Sequence, residues 1–200
     1  ALEPDMQSPA LNDGYVVERG TTLRSVLAQD ETTACVFRTA HDVTMWPITI
    51  SEAEYIDGRG ALVAAGVSRD TEARAGIRLR LQRSGGKPIS ELTLENLTLF
   101  LNGQEGSSWD LHEMLCTQVT GLVGRSTDRR ADWTAQLHNG AVAPKGYAPE
   151  EALLPNPRRS FDGYRLLQEY FAMPERFHFV ELQGLSMALS RSKGADVDIY

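Results

Sequence analysis

Four histidines, two cysteines and a surplus of carboxylates are the side chains in this 200-residue chain with the chemistry for catalysis or metal binding. A metal site needs three or four ligands brought together, usually announced by HExxH or paired CxxC spacing. Here His41, His112, His138 and His178 stand singly, and Cys35 and Cys116 lie far apart. Each histidine therefore reads as a surface or hydrogen-bonded side chain, and His112 falls on the polar side of its predicted helix. A phosphate cradle needs a longer glycine pattern than Gly58-Arg59-Gly60, which reads as a turn. No Gly-x-Ser-x-Gly elbow occurs, and neither cysteine has the context of a nucleophile. Glu52, Glu54, Glu150, Glu151 and Glu169 supply carboxylates, but glycosidic chemistry requires two held about 5–10 Å apart. Spacing along the chain singles out no such pair, so these residues read as solvated surface. No catalysis, metal or cofactor is expected.

Recognition chemistry is better represented. Arg158 and Arg159 precede a predicted helix, where planar guanidiniums can hold a partner's carboxylate through paired hydrogen bonds. The aromatic-rich stretch from Phe161 to Phe179 reads first as core, and any exposed part of it would mark a protein interface. A formal charge of -7 disfavours nucleic acid or an anionic membrane as the main partner, since both select basic patches. With 42% hydrophobic and 24% charged residues the composition is that of a globular protein able to bury a core without staples. Two isolated cysteines suit reduced thiols. The acidic, proline-broken start is unlike a signal peptide, and no apolar run is long enough to span a bilayer. The missing initiator Met and the strand pattern at Val197 to Tyr200 suggest an internal fragment of a longer protein.

The elements that must position these groups are mostly strands. Cys35 to Thr39 and Val43 to Ile50 are β-branched and aromatic, with Pro47 expected at an edge or bulge. Gly76 to Arg83 alternates, with Ile77, Leu79 and Leu81 on one face and Arg78, Arg80 and Gln82 on the other. Leu92 to Leu101 repeats that pattern with Leu97, Leu99 and Leu101 inward. Further strands are expected at Leu122 to Arg125, Trp133 to His138, Phe177 to Leu182 and Val197 to Tyr200, with Asn139-Gly140 as a hairpin turn. One helix is expected through Leu111, Met114, Leu115, Val119 and Leu122, capped by Asp110 and Glu113. A second runs from Phe161 to Ala172 and ends at Pro174. Tyr164, Leu167 and Phe171 share one stripe of it, which is expected to face the core. The fold class is α+β, mainly β: an antiparallel, sandwich-like core with a few packed helices. Residues 1–200 read as one β-rich region, with a weak candidate boundary at 126–132.

The last third carries a longer pattern. Gly146-Tyr147-Ala148-Pro149-Glu150-Glu151-Ala152-Leu153-Leu154-Pro155 leads to Arg159-Ser160-Phe161-Asp162-Gly163-Tyr164-Arg165-Leu166-Leu167-Gln168-Glu169-Tyr170-Phe171, then Ala172-Met173-Pro174-Glu175-Arg176-Phe177 and Phe179 through Leu185. This resembles the TssF (ImpG or VasA) family of the bacterial type VI secretion baseplate, whose pattern is EALLPY, then GYRLLQEYFAFPEKF, then F-x-L-x-GL. Upstream, Gly20-Thr21-Thr22, Cys35-Val36-Phe37-Arg38-Thr39 and Val43-Thr44-Met45-Trp46-Pro47-Ile48 are similar to the family's RGT and FRT…VTLWP elements, in the same order. Tyr147, Asn156 and Met173 depart from its usual phenylalanine, tyrosine and phenylalanine, and bear only on local packing.

The resemblance implies a structural wedge subunit of a contractile, phage-tail-like machine, cytoplasmic and assembled at the inner face of the envelope. It implies assembly with TssG, TssK and TssE, a second TssF copy and the central spike, with neither nucleic acid nor membrane insertion. It carries no catalytic residues. The alternative is a carbohydrate-binding β-sandwich, for which Trp109 and Trp133 are the available aromatic platforms.

Overall fold

The computed structural model describes residues 3–6, 8–27, 32–68, 72–104, 106–128, 133–137, 141–154 and 161–200. In chain order its strands and helices are β1 (Tyr15–Val17), β2 (Thr22–Arg24), β3 (Val36–Arg38), β4 (Val43–Met45), β5 (Ile48–Asp57), α1 (Arg59–Ala64), β6 (Ala75–Arg83) and β7 (Leu97–Phe100). There follow α2 (Ser107–Thr117), β8 (Val123–Arg125), β9 (Thr134–Gln136), β10 (Val142–Pro144), α3 (Asp162–Ala172), β11 (Phe179–Leu182), α4 (Ser186–Leu189) and β12 (Asp196–Ile199).

The largest sheet has five strands in the order β5-β6-β12-β8-β9, and a second has three in the order β10-β11-β7. Two ribbons, β1-β4 and β2-β3, complete the strand set. Every pairing is antiparallel. One apolar cluster joins the two sheets: Leu81 of β6 with Val197 and Ile199 of β12 from one, Val142 of β10 with Val180 and Leu182 of β11 from the other. The expected mainly-β, sandwich-like class with a few helices is therefore the observed one.

Alternation in β6 works as the period-two pattern requires. Leu81 is fully buried on the core side, whereas Arg78 and Arg80 project from the opposite face beside Glu52 and Glu54 of β5 and Asp198 of β12. Register sets this ladder, because Arg80 lies opposite both Glu52 and Asp198, and Arg78 opposite Glu54. Arg83 continues the core face and is itself buried, its guanidinium donating to the Pro88 and Asn12 carbonyls and to Glu91. Across the sheet α4 rests on β8 at Gly124, where an added Cβ would stand 2.2 Å from that of Ala188. Only a residue without a side chain permits that approach.

Several boundaries differ from the sequence expectation. Val43 to Ile50 is two strands, because Trp46-Pro47 interrupts it. The buried Pro47 has no N–H for a ladder, and its carbonyl accepts from Ser84. Strand β5 then runs on to Asp57, and the Leu92 to Leu101 segment is a strand only over Leu97–Phe100. The first predicted helix starts earlier, at Ser107, which puts Asp110 in its first turn and leaves Val119 and Leu122 beyond its end. Phe177 belongs to a 3₁₀ turn at Pro174–Phe177 that precedes β11. Asn139-Gly140 lies outside the described residues. Among the described residues no helix is long and apolar enough to cross a membrane.

Candidate protein-protein interface

Helix α3 begins after the extended Phe161 and ends at Ala172, with the non-helical Met173 capping it just before Pro174, as the proline requires. Its orientation is the reverse of the expected one. Tyr164, Leu167 and Phe171 are 63%, 57% and 80% exposed, so the apolar stripe faces outward. The residues turned inward are Arg165 and Glu169, both nearly inaccessible to solvent. The expectation that Leu167 and Phe171 are buried is thereby corrected.

Buried charge demands partners, and the preceding loop supplies them. Glu169 Oε1 accepts from the backbone N–H of Leu153 and Leu154 at 2.9 and 3.1 Å. Its Oε2 lies 3.3 Å from Arg165 Nη1 and 3.1 Å from Arg176 Nε, the latter a charge contact without hydrogen-bond alignment. The two guanidiniums also hold the loop. Arg165 donates to the Tyr147 carbonyl at 3.0 Å, and Arg176 donates to those of Gly146 and Glu151 at 2.7 and 2.8 Å. Burial lowers the Arg176 pKa, and the Glu169 carboxylate opposes that shift.

A second carboxylate fixes the same loop. Glu151 accepts from the N–H groups of Gly146 and Ala148 and pairs with Lys145 at 2.9 Å, which also reaches Glu181 of β11 at 2.8 Å. Burial would raise the Glu151 pKa, but the Lys145 hydrogen bond and the backbone donors outweigh it and hold the group below its ordinary value. The EALL and GYRLLQEY segments thus form one unit, in which charges clamp the helix and direct its aromatic residues outward.

Aromatic packing joins that unit to the body. Tyr170 stands 6.0 Å from Trp109 of α2 and 6.3 Å from Phe177, and Trp109 meets the His178 ring edge-on at 4.4 Å. Trp109 and Trp133 are both half-buried, one in this cluster and the other against the core, so neither stands out as an open sugar platform. Phe161, Phe171 and Met173 have mostly exposed side chains.

The histidines are placed differently from expectation. His112 is buried, 3.7 Å from the Cys116 sulfur, because α2 turns Ser108 and His112 inward and leaves Met114 exposed. Burial, with His178 nearby, lowers its pKa. His178 is buried with Nε2 lacking a hydrogen-bond partner. His41 is half-buried, its pKa lowered by burial and then by Arg176. Cys35 is exposed, Cys116 half-buried, and both are free thiols. Among the described residues no three His, Cys, Asp or Glu side chains are grouped to hold a metal ion. His138 lies outside the described residues, and so do Arg158 and Arg159, the partner-binding pair expected from the sequence.

What sequence reasoning missed is the charged side of α3. Arg165 and Glu169 sit four residues apart on one face, an i,i+4 pair that ordinarily reads as solvated. The signal available was the coincidence of that pair with an opposite face made of Tyr164, Leu167 and Phe171.

The model of the family "Type VI secretion system, TssF" matches residues 1–200. The chain is 39% identical over 198 residues to the type VI secretion system component TssF1 of Pseudomonas aeruginosa, covering 99% of this chain and 32% of that protein. A chain of the solved TssK-TssF-TssG baseplate subcomplex of the type VI secretion system superposes with a TM-score of 0.77 at 24% identity, covering 100% of this chain and 34% of that one. The 200 residues thus span about a third of the length of these relatives. With the family pattern matched from the first residue to the last, this chain belongs to the TssF family of type VI secretion proteins.

Proposed function

We propose that this chain is a central portion of a baseplate wedge subunit that works by protein-protein assembly and catalyses no reaction. The observation that carries the reading is the outward aromatic face of α3, braced from behind by the Arg165–Glu169–Arg176 triad, in a chain matched to TssF throughout. Aromatic residues on an element held in place by buried ion pairs are what association uses, since little side-chain entropy is lost when they are covered. The partners in this reading are TssG and TssK, named with TssF in the matched subcomplex, and also TssE, a second TssF copy and the central spike. The site of action is the cytoplasmic face of the envelope. Residues 1–200 act as one β-rich region, with a weak boundary near 126–132 in the sequence between β8 and β9.

Arg158 and Arg159, just ahead of α3, are the polar contacts of this interface. Their reversal to Glu in the full-length subunit is expected to remove TssG or the second TssF copy from a pull-down, with an unchanged circular dichroism spectrum. A desolvated charge pair costs about 2–5 kcal/mol to break, enough to lose the complex, whereas a rim pair costs about 0–1 kcal/mol. Normal assembly by the folded double variant would take the two arginines out of the interface. Failure of the unaltered subunit to co-purify any baseplate protein from a bacterial lysate would overturn the assembly reading itself.

A further inference from the structure

The five-stranded sheet ends differently at its two sides. Strand β9 at one edge has three residues, whereas β5 at the other has 10, about twice the usual length. Among the described residues no strand pairs with the outer side of β5, so alternate N–H and C=O groups along it point away from β6 without a ladder partner. Ser51 is the extra residue of a bulge, and residues 52–57 pair regularly beyond it. Charges form a row across this sheet. Register sets Arg125 of β8 opposite Asp198 of β12, Asp198 opposite Arg80 of β6, and Arg80 opposite Glu52 of β5. Glu52 and its neighbour Glu54, two residues on, each lie 2.8 Å from Arg78, and Glu52 lies 2.7 Å from Arg80. The row thus alternates basic and acidic from strand to strand and stops on an acid at the free edge. On the other face Ile50, Ala53 and Tyr55 lie opposite Leu81, Leu79 and Ile77. That is the core side of β6, yet Ile50 is 46% and Tyr55 68% exposed, because the core stops short of this edge.

We propose that the outer edge of β5 receives, as a further strand of this sheet, an extended segment of a partner protein in which lysine or arginine alternates with apolar residues. Main-chain hydrogen bonds along β5 hold the segment, and side chains on its two faces set the choice of partner. Basic residues at alternate positions continue the charge row beside Glu52 and Glu54, and the intervening apolar residues cover Ile50, Ala53 and Tyr55. A second copy's β5 does not fit, because antiparallel pairing about Ala53 sets Glu52 against Glu54. Edges guarded against pairing are commonly short, or carry lysine or proline. Strand β5 is long, its glutamates are already drawn towards β6, and it exposes an isoleucine and a tyrosine. This is a second contact surface, on a different element from the α3 face, and so goes beyond the assembly reading.

The test uses the full-length subunit and a short, end-capped, fluorescein-labelled peptide alternating valine with lysine. Fluorescence anisotropy is expected to show binding that weakens at least tenfold when glutamate replaces the lysines. Methylating every lysine backbone nitrogen, or instead every valine backbone nitrogen, is expected to abolish binding of one peptide and spare the other, because only one set faces β5. Hydrogen exchange is expected to slow at least tenfold at backbone amides within residues 49–56 and to stay unchanged on α3. Glu52→Gln combined with Glu54→Gln is expected to weaken the lysine peptide at least fivefold. If that variant loses its folded circular dichroism spectrum, the glutamate peptide on the unaltered subunit decides the charge requirement. Absence of binding, equal binding of the lysine and glutamate peptides, or protection on α3 in place of β5 would each overturn the inference. Undiminished binding of both methylated peptides would overturn it too, since an added strand must use one set of its N–H groups. The pull-down of the Arg158 and Arg159 variant reports separately on the assembly reading.

Discussion

Glu169 is a carboxylate almost without exposure, held between two guanidiniums and two backbone amides. Removing it leaves Arg165 and Arg176 buried without their counter-charge, a change that in comparable settings costs about 3–5 kcal/mol. Glu169→Ala is therefore expected to lower the urea midpoint of this chain sharply, and an unchanged midpoint would refute the buried-triad account. An aspartate at this position would keep the charge but reach one methylene less far, so only part of the loss should be recovered. The triad is weak ground for stability in its own right, because a well-packed apolar set can do as well or better. Its physical consequence is orientation: the polar groups have partners on one side of α3 only.

At the scale of the element, α3 reverses the usual amphipathic rule. Its apolar positions were legible from spacing alone, and so were its length and its end at Pro174. Which face would be covered was not legible, because a stripe of Tyr, Leu and Phe is equally ready for the core of this chain or for another segment. The consequence is measurable. Leu167→Ala is expected to change stability by less than about 0.5 kcal/mol, as at exposed sites generally, whereas Leu189→Ala, at a fully buried position of α4, should cost about 2–5 kcal/mol. Equal losses for the two variants in denaturant unfolding would contradict the outward orientation of α3.

For the whole molecule, the titrating groups fall into an acid set and an alkaline set with opposite effects on stability as pH rises. Burial lowers the pKa of His41 and His112 from 6.5. Glu151 lies below its usual 4.5, the raising effect of burial being outweighed by Lys145 and the backbone donors. In each case the unfolded chain binds more protons between the folded and unfolded pKa, so stability rises with pH across that interval. On the alkaline side burial raises the Cys116 thiol from 9.0 and the Tyr147 and Tyr200 hydroxyls from 10.0. Their contributions are complete below those values and are lost as pH rises through the folded pKa. The chain is thus expected to hold a stability plateau between about pH 6.5 and 9 and to decline on either side. Histidine protonation begins the acid loss, and Glu151 extends it below about pH 4.5. Urea midpoints measured across pH check this; a midpoint that rises from pH 7 to pH 5.5 would contradict the assigned burial of the histidines.

Local patterns in the amino-acid sequence determined the β-rich class, the core face of β6 through Leu81, the helix ending before Pro174 and the family. Each depends on interactions short in sequence, such as alternation, proline geometry and residue order. The interruption at Trp46-Pro47, the burial of His112 and the outward seam of α3 depend on which surfaces meet across the molecule, and periodicity does not encode that. Asp198 illustrates the division. It reads as an ordinary strand-end carboxylate, yet pairing with β6 places it against Arg80 at 2.7 Å in a central strand. Arg165 and Glu169 are the same case on a helix. A charged side chain is buried only where tertiary contacts deliver all its partners at once, and for α3 those partners come from a loop before the helix and a turn after it.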